Sequence, residues 1–360
     1  MSHLNPPKII FAQLVAENKL ELYWNQEVAG STETTNVHLA LDGAPVSIQT
    51  ASNDFWNIIP AYEPTKKRTT FTLSQPLTHA DLGHLTIQLS ANITGIDQPA
   101  DSNQVYVVNN WQEFYTRFTN TTANIVIKSS TDVDSNVRLL TAQLIDTMLE
   151  KIPAVAATMA TNGAAVALYG IHQDVYDILE HRGGAQILGR PVEGFGGMPG
   201  DPVTSIAAKN VLRITEGLYQ TRYPNESILA HEFGHAIHLL GINKLTAQSL
   251  ANEFRSVYKH AQETNLWPDT YAISNYEEYF ATLTAIWFNA MAESASGTWD
   301  GVRGPINTRA ELAEYDPTAY AFFAKIYAPV NLPYPWNKNH VNYDYAGRMV
   351  ELPTPAALKG

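Results

Sequence analysis

The sequence predicts a multidomain chain, an all-β N-terminal module followed by a larger α+β domain. Three observations carry this. The chain has 360 residues, more than one ordinary domain holds, and two domains are the natural expectation. Short alternating or β-branched runs fill roughly the first 110 residues at the spacing of a small β-sandwich. Beyond them, strand-like runs alternate with stretches of helical periodicity, and one of those helices carries two histidines and a glutamate.

In the first module the expected strands are Lys8–Ala16, Lys19–Trp24, Thr35–Leu41, Val46–Ala51, Thr69–Leu73, Leu85–Ser90 and Gln104–Val108. Turn signals such as Leu41-Asp42-Gly43 and Gly95-Ile96-Asp97 separate them. Together they read as an antiparallel sandwich that resembles bacterial immunoglobulin-like modules. Trp24, Trp56 and Tyr62 are read as core; the competing reading is a platform for a glycan or a surface. The polar stretch Asp97–Asn103 and Asn109-Asn110 mark the exit, so residues 1–110 form the module. Trp111 opens the second domain, 111–360.

That domain begins with a strand, Asn124–Ser129, and a helix over about 132–151, whose Val137, Leu140, Leu144 and Met148 keep the spacing of a buried face. A strand follows at Ala164–Tyr169. The glycine-rich stretch around Gly183, Gly189 and Gly194–Gly200 lacks the G-K-[ST] ending of a phosphate loop, which argues against nucleotide binding. Either Val203–Ala208 or Asn210–Thr215 is expected to be the edge strand that a substrate joins by strand addition. Thr308–Glu311 is a capping box, and Asp316-Pro317 starts a last helix with a cap and a proline.

The central feature is His231-Glu232-Phe233-Gly234-His235, within SILAHEFGHAIHLLG. Two histidines four apart on a helix share a face, so both rings can reach one ion, and the glutamate after the first can point at a water on that ion. This is the HExxH arrangement of zinc hydrolases. Asn225 is the expected N-cap, Glu226 suits the first turn, and Gly241 follows the last apolar residue.

A catalytic zinc takes three protein ligands and leaves one position for water. The metzincin extension would need glycine at 238 and histidine at 241; the chain has His238 and Gly241, so that solution fails. A glutamate on a later helix is the other common solution, and Glu277 and Glu278 compete for it. Ser274-Asn275-Tyr276-Glu277 reads as a capping box, which would occupy Glu277 and leave Glu278 as third ligand. His238 is read as a packed or supporting histidine.

Tyr271, Asn275, Glu278, Tyr279, Phe280 and Ala281 reproduce a Y-x-x-x-N-x-x-E-[YF]-F-A pattern. On these residues and the HExxH helix, residues 112 to 335 resemble the catalytic domain of the anthrax-lethal-factor-like zinc peptidases, a branch of the gluzincins. The resemblance implies a zincin-like α+β metallopeptidase domain, one zinc held by His231, His235 and Glu278, Glu232 as general base, and Tyr271 as a donor to the tetrahedral intermediate. One departure stands out: Thr282 occupies the place of a further glutamate in that family.

The expected activity is therefore zinc-dependent endopeptidase action on a peptide or protein substrate. Two alternatives are carried with it: a zinc hydrolase of some other amide or ester, and a surface- or carbohydrate-binding protein with a vestigial zinc domain. The chain has no cysteine and no serine in a G-x-S-x-G setting, so no other nucleophile competes. A net charge of −12, from 23 Lys+Arg against 35 Asp+Glu, argues against a nucleic-acid partner. No apolar run of about 18 residues exists, so no membrane span is expected. The opening MSHLNPPKIIF is not a signal peptide, although a removed one would leave the same picture; the expected location is secreted or cell-surface.

Overall fold

The computed structural model describes residues 6–53, 68–78, 81–108, 115–178, 180–181 and 192–337. These divide into two compact units. The first runs up to Arg117 and takes in Ser129–Thr131 and residues 180–181; the second is the remainder. The expected boundary between Asn110 and Trp111 lies outside the described residues.

In the first unit eight strands form: β1 (Ile9–Ala16), β2 (Lys19–Trp24), β3 (Val37–Leu41), β4 (Ala44–Val46), β5 (Ile48–Ser52), β6 (Arg68–Leu73), β7 (Leu85–Leu89) and β8 (Val105–Val107). They make two four-stranded sheets, β1-β2-β6-β5 and β4-β3-β7-β8, with antiparallel pairing. Leu20, Leu22, Trp24 and Phe71 of one sheet and Leu39, Leu85, Ile87 and Tyr106 of the other belong to one apolar core. The period-two pattern of the sequence is thus the inward-outward alternation of two sheets facing a common interior.

Asp42 and Gly43 both take positive φ, 49° and 82°, and Leu41 pairs with Ala44 across them. This two-residue connection needs left-handed backbone at both positions, which aspartate tolerates and glycine adopts freely. The expected single strand Val46–Ala51 is two strands, because the chain changes sheet at Ser47: Val46 pairs with Leu39 and Ile48 with Leu73. Trp24 is a core residue whose Nε1 donates to Thr69 Oγ1 at 3.0 Å. Trp56 and Tyr62 lie outside the described residues.

The second unit is α+β. Its elements are β9 (Arg117–Asn120), β10 (Val126–Ser129), α1 (Ser135–Leu149), α2 (Pro153–Thr161), β11 (Ala165–Tyr169), β12 (Gly194–Phe195), β13 (Val203–Ala207), α3 (Ala208–Val211), α4 (Ile228–Ala236), α5 (Ser249–Glu263), α6 (Tyr276–Trp287), α7 (Arg309–Tyr315) and α8 (Pro317–Ile326). The strands form one sheet in the order β12-β13-β11-β10-β9, with β13 parallel to β11 and antiparallel to β12. Val166 and Leu168 of β11 and Ile206 of β13 share a core with Val137, Leu144 and Met148 of α1 and with Leu229 and Phe233 of α4.

The expected edge strand is corrected here. Val203–Ala207 is buried at every residue and is paired on both sides, so it offers no edge, and Asn210 stands in α3. The terminal strand of the sheet order on this side is β12. Both late caps form as expected: Thr308 and Glu311 complete a capping box, and Asp316 accepts from Ala319 N at 3.0 Å with Pro317 in the first turn. No helix among the described residues is long and apolar enough to cross a membrane.

Candidate metal centre

The helix bearing the HExxH residues is α4, and its entry differs from expectation. Asn225 is not the cap; Ser227 is, its hydroxyl accepting from Ala230 N at 3.2 Å. The helix starts later because residues 221–226 are held by other groups. Buried Asn210 donates through Nδ2 to Thr221 Oγ1 (3.2 Å), Tyr223 O (3.3 Å) and Glu226 O (3.0 Å), and its Oδ1 accepts from Ile228 N at 2.9 Å. Buried Glu193 accepts from the Thr221 hydroxyl and from Arg222 N at 2.9 Å, and pairs with Lys209 Nζ at 3.3 Å. Glu226 is ion-paired with Arg303. Asn210 and Glu193 were not foreseen. The sequence shows them only as single polar residues, Glu193 just ahead of the glycine-rich hairpin and Asn210 in the short helix after β13.

α6 packs across α4 at small residues. A β-carbon added at Gly234 would stand 3.2 Å from Ala281 Cα and 3.2 Å from Thr284 Cβ, so the glycine lets the two helix backbones approach closely. The entry of α6 also corrects the sequence reading. Its cap is Asn275, whose Oδ1 accepts from Glu278 N at 2.8 Å, while Ser274 Oγ donates to Tyr271 O at 2.6 Å. No Ser274–Glu277 capping box forms. The residue chosen as third ligand nonetheless takes its place beside the histidines, because capping by Asn275 puts Glu278 in the first turn of the helix, facing α4.

The three expected ligands converge. One carboxylate oxygen, Glu278 Oε2, lies 3.1 Å from His231 Nε2 and 3.5 Å from His235 Nε2. The imidazole centroids are 5.1 Å apart with planes at 82°. Ligand atoms of His231, Glu232 and His235 all lie within 4.8 Å of one another. Two donors on one tetrahedral zinc, each bonded at about 2.0–2.1 Å, stand about 3.3 Å apart, and the two observed separations bracket that value. Two imidazoles and a carboxylate are also the donor set zinc takes, so the residues fit the ion in chemistry and in spacing.

Tyr271, half-exposed at 50%, donates to Glu278 Oε1 at 2.8 Å, and its ring stacks beside that of His231. Its own N–H donates to Val302 O at 2.8 Å. His231 Nδ1 and Thr282 Oγ1 are buried and have no hydrogen-bond partner among the described residues. A metal-binding histidine usually donates its second ring nitrogen to an acceptor, and among the described residues His231 Nδ1 has none.

Electrostatics follow from the packing. Burial disfavours a charged His231, but neighbouring Glu278 and Glu232 outweigh it and push its pKa up to about 9. Burial raises Glu278 while the two imidazoles more than offset that, holding it well below the usual carboxylate range. Burial raises the Glu232 pKa against the opposing pull of His231 and His235. A carboxylate raised toward neutrality is better matched to proton transfer at physiological pH.

His238 does not join the site. In an unbroken α-helix it would share the stripe of His231 and His235, seven and three residues on. Instead Ile237–Gly241 forms a π-helical turn, and the His238 ring stacks on Phe280 at 4.8 Å between Tyr276 and Phe254. It is fully buried, and neither ring nitrogen has a partner among the described residues. Tyr219 is partly exposed and lies edge-on to His172, whereas Tyr223 packs against the core.

No protein-family model matches the chain, and no curated protein is significantly similar to it. Among solved structures, the crystal structure of the S-layer protein rSbsC(31-844) is similar at TM-score 0.22 and 13% identity, over 28% of this chain and 13% of that one. The N-terminal part of the bacterial S-layer protein SbsC gives TM-score 0.22 and 13% identity, over 28% and 22%. Domains 1–6 of surface layer protein SbsC give 0.23 and 11%, over 37% and 19%. The chain thus spans less than a quarter of each of these proteins, and likeness of this size carries no argument about fold, activity or location.

Proposed function

We propose that the chain is a zinc-dependent endopeptidase of gluzincin type, secreted or displayed at a cell surface, with His231, His235 and Glu278 as metal ligands. The observation that carries this is the single carboxylate oxygen of Glu278 placed at tetrahedral-edge distance from two imidazole nitrogens. A zinc ion held there by His231, His235 and Glu278 would supply an acidified water and polarise a scissile carbonyl. Glu232, on the same helix and beside both histidines, takes the proton of the attacking water and returns it to the leaving amine. The Tyr271 hydroxyl, at the exposed rim of the site, donates to oxyanion charge as it develops. The substrate strand adds along the β12 side of the sheet, the side next to α4.

The competing account of the same geometry is a charged His–Glu–His cluster that needs no ion. Metal analysis of the purified protein separates the two: about one zinc per chain is expected, with peptide cleavage abolished by a chelator and restored by zinc. Glu232→Gln should keep the zinc and lose turnover by several orders of magnitude, since the proton acceptor is gone while the ion remains. A protein that holds zinc and cleaves nothing in a diverse peptide library would move the assignment to a non-peptidase zinc hydrolase. One that holds no zinc would leave only the binding-protein reading.

A further inference from the structure

The segment Gly194-Phe195-Gly196-Gly197 carries three glycines whose φ angles all lie outside the left-handed region. Backbone conformation therefore does not explain them; close approach does. A β-carbon at Gly194 would stand 2.6 Å from Ile228 Cγ2 and 2.8 Å from Glu232 Cγ. One at Gly196 would stand 2.7 Å from His235 Cβ and 2.9 Å from its Cδ2. Real contacts of a β-carbon do not reach these distances, so either substitution must displace the side chain it meets.

The two contacts share one geometry. Residues two apart on a strand present the same side, and Gly194 and Gly196 turn that side to α4. On the helix, Ile228, Glu232 and His235 are spaced i, i+4, i+7 and form one stripe. The strand backbone thus runs along the stripe that holds the candidate base and one candidate ligand. Its own position is fixed from both ends. Gly194 and Phe195 pair with Ile206 and Ser205, Gly197 N donates to Thr204 Oγ1 at 3.1 Å, and Met198 and Asp201 close the hairpin with a pair of backbone bonds at 2.8 and 3.0 Å. Just upstream, Glu193 O accepts from Ala207 N at 2.9 Å.

We propose that Gly194 and Gly196 are positioning residues: their bare backbone is a rigid wall that sets where the Glu232 and His235 side chains stand. The inference rests on the zinc-hydrolase reading of this site. The wall divides its work, with Gly194 acting on the base and Gly196 on the ligand. An alanine at each position should therefore damage a different property. Displacements of an ångström at a reacting group can cost about 100-fold in rate, and disturbing the support of a ligand costs about 10–100-fold in metal affinity.

The test uses the full-length protein and its Gly194→Ala, Gly196→Ala and Gly197→Ala variants, loaded with Co²⁺ in place of Zn²⁺. Gly196→Ala is expected to weaken Co²⁺ and Zn²⁺ binding at least about tenfold and to change the visible absorption of the bound cobalt, because an imidazole ligand has moved. Gly194→Ala is expected to keep metal affinity within about threefold and lower kcat at least about 30-fold with KM little changed. Gly197→Ala is the control. Its β-carbon would meet Pro202 O at 2.9 Å and Thr204 Oγ1 at 3.2 Å, crowding the hairpin but neither Glu232 nor His235, so it reads the cost of a general shift of the hairpin, and both losses should be clearly smaller than in the other two variants.

Should Gly194→Ala fail to fold, Gly194→Ala with Ile228→Ala removes the tighter clash and keeps the one with Glu232; the loss in kcat should persist. The inference is overturned if Gly196→Ala binds cobalt like the wild type, or if Gly197→Ala reproduces its effect. The cobalt spectrum needs no turnover. A protein that binds cobalt but cleaves no peptide would end the peptidase reading and leave this one standing, while a wild type that binds no metal would end both.

Discussion

Tyr271 Oη donates to Glu278 Oε1 at 2.8 Å, while the other oxygen of the same carboxylate faces both imidazoles. The hydroxyl expected from the sequence to serve a reaction intermediate is thus also bonded to the candidate third ligand. Its phenol stays protonated, since burial and the Glu278 charge both raise its pKa.

Tyr271→Phe tests both roles. Loss of an oxyanion donor should lower kcat about 100-fold or more at saturating zinc, with KM nearly unchanged. Loss of the bond to Glu278 should weaken zinc by about tenfold, the low end for a ligand's support, because both histidines remain. Steady-state kinetics with and without added zinc read the two separately. A variant whose activity is fully restored by zinc would reduce Tyr271 to a support for Glu278.

Glu278→Gln should weaken zinc by more than about 100-fold, since it removes a ligand rather than the support of one. Glu277→Gln should leave both zinc and the melting temperature near wild type, because the cap of α6 is Asn275. Asn275→Ala should cost about 1 kcal/mol of stability. Metal titration and thermal unfolding of the three variants decide this, and a zinc-free Glu277→Gln would reverse the ligand assignment.

Asn210→Ala should destabilise the second unit by about 2–4 kcal/mol. It strands the Ile228 amide and three further partners in a buried place, each costing about 1–3 kcal/mol when unsatisfied, partly relieved by relaxation. Differential scanning calorimetry reads the loss. Because Asn210 pins the residues leading into α4, zinc affinity should fall with it. A variant as stable as the wild type would show that the network is not needed to hold the helix entry.

Acid stability should report on His238. Burial, with help from His235 and Arg255, depresses its pKa to about 3 from the ordinary 6.5. A histidine harder to protonate when folded contributes nothing to pH dependence above about pH 6.5. Below that the unfolded chain gains the proton first, so stability falls by up to about 1.4 kcal/mol per pH unit until about pH 3. His238→Phe keeps the ring stack and removes the titration. Its stability advantage should grow by about 2–3 kcal/mol between pH 7 and 4.5. Denaturant midpoints at both pH values check this, and a constant gap would mean that the ring takes up its proton without unfolding.

The parts of this structure that were legible in the sequence are those that repeat or are spaced along one element. Strand alternation located the β-runs of the first module within a few residues, and the i, i+4 histidines located the face of α4 on which His231, Glu232 and His235 come together. The parts that were not legible depend on which distant group satisfies a terminus. Ser274 offered a capping pattern, but its hydroxyl is spent on Tyr271 O and Asn275 caps instead. Asn225 looked like a cap, but Asn210, from another helix, takes the Ile228 amide and moves the start to Ser227. The segment from Val203, one of the two edge candidates, gives no sign in its sequence of how many neighbours it has, and its Thr204 and Ser205 are buried with the rest. Glu278 stands beside both histidines although the capping premise behind its choice does not hold, since either cap leaves that residue on the face turned to α4.

The π-turn at Ile237–Gly241 has a bearing on ancestry and redesign. Such a turn holds one residue more than the α-helix around it, so it is equivalent to a single-codon insertion tolerated in place. Excising Leu239 or Leu240 would keep His238 three and seven residues after His235 and His231, let the helix rewind, and turn His238 toward their stripe. A third imidazole would then compete for the coordination position a hydrolytic water requires.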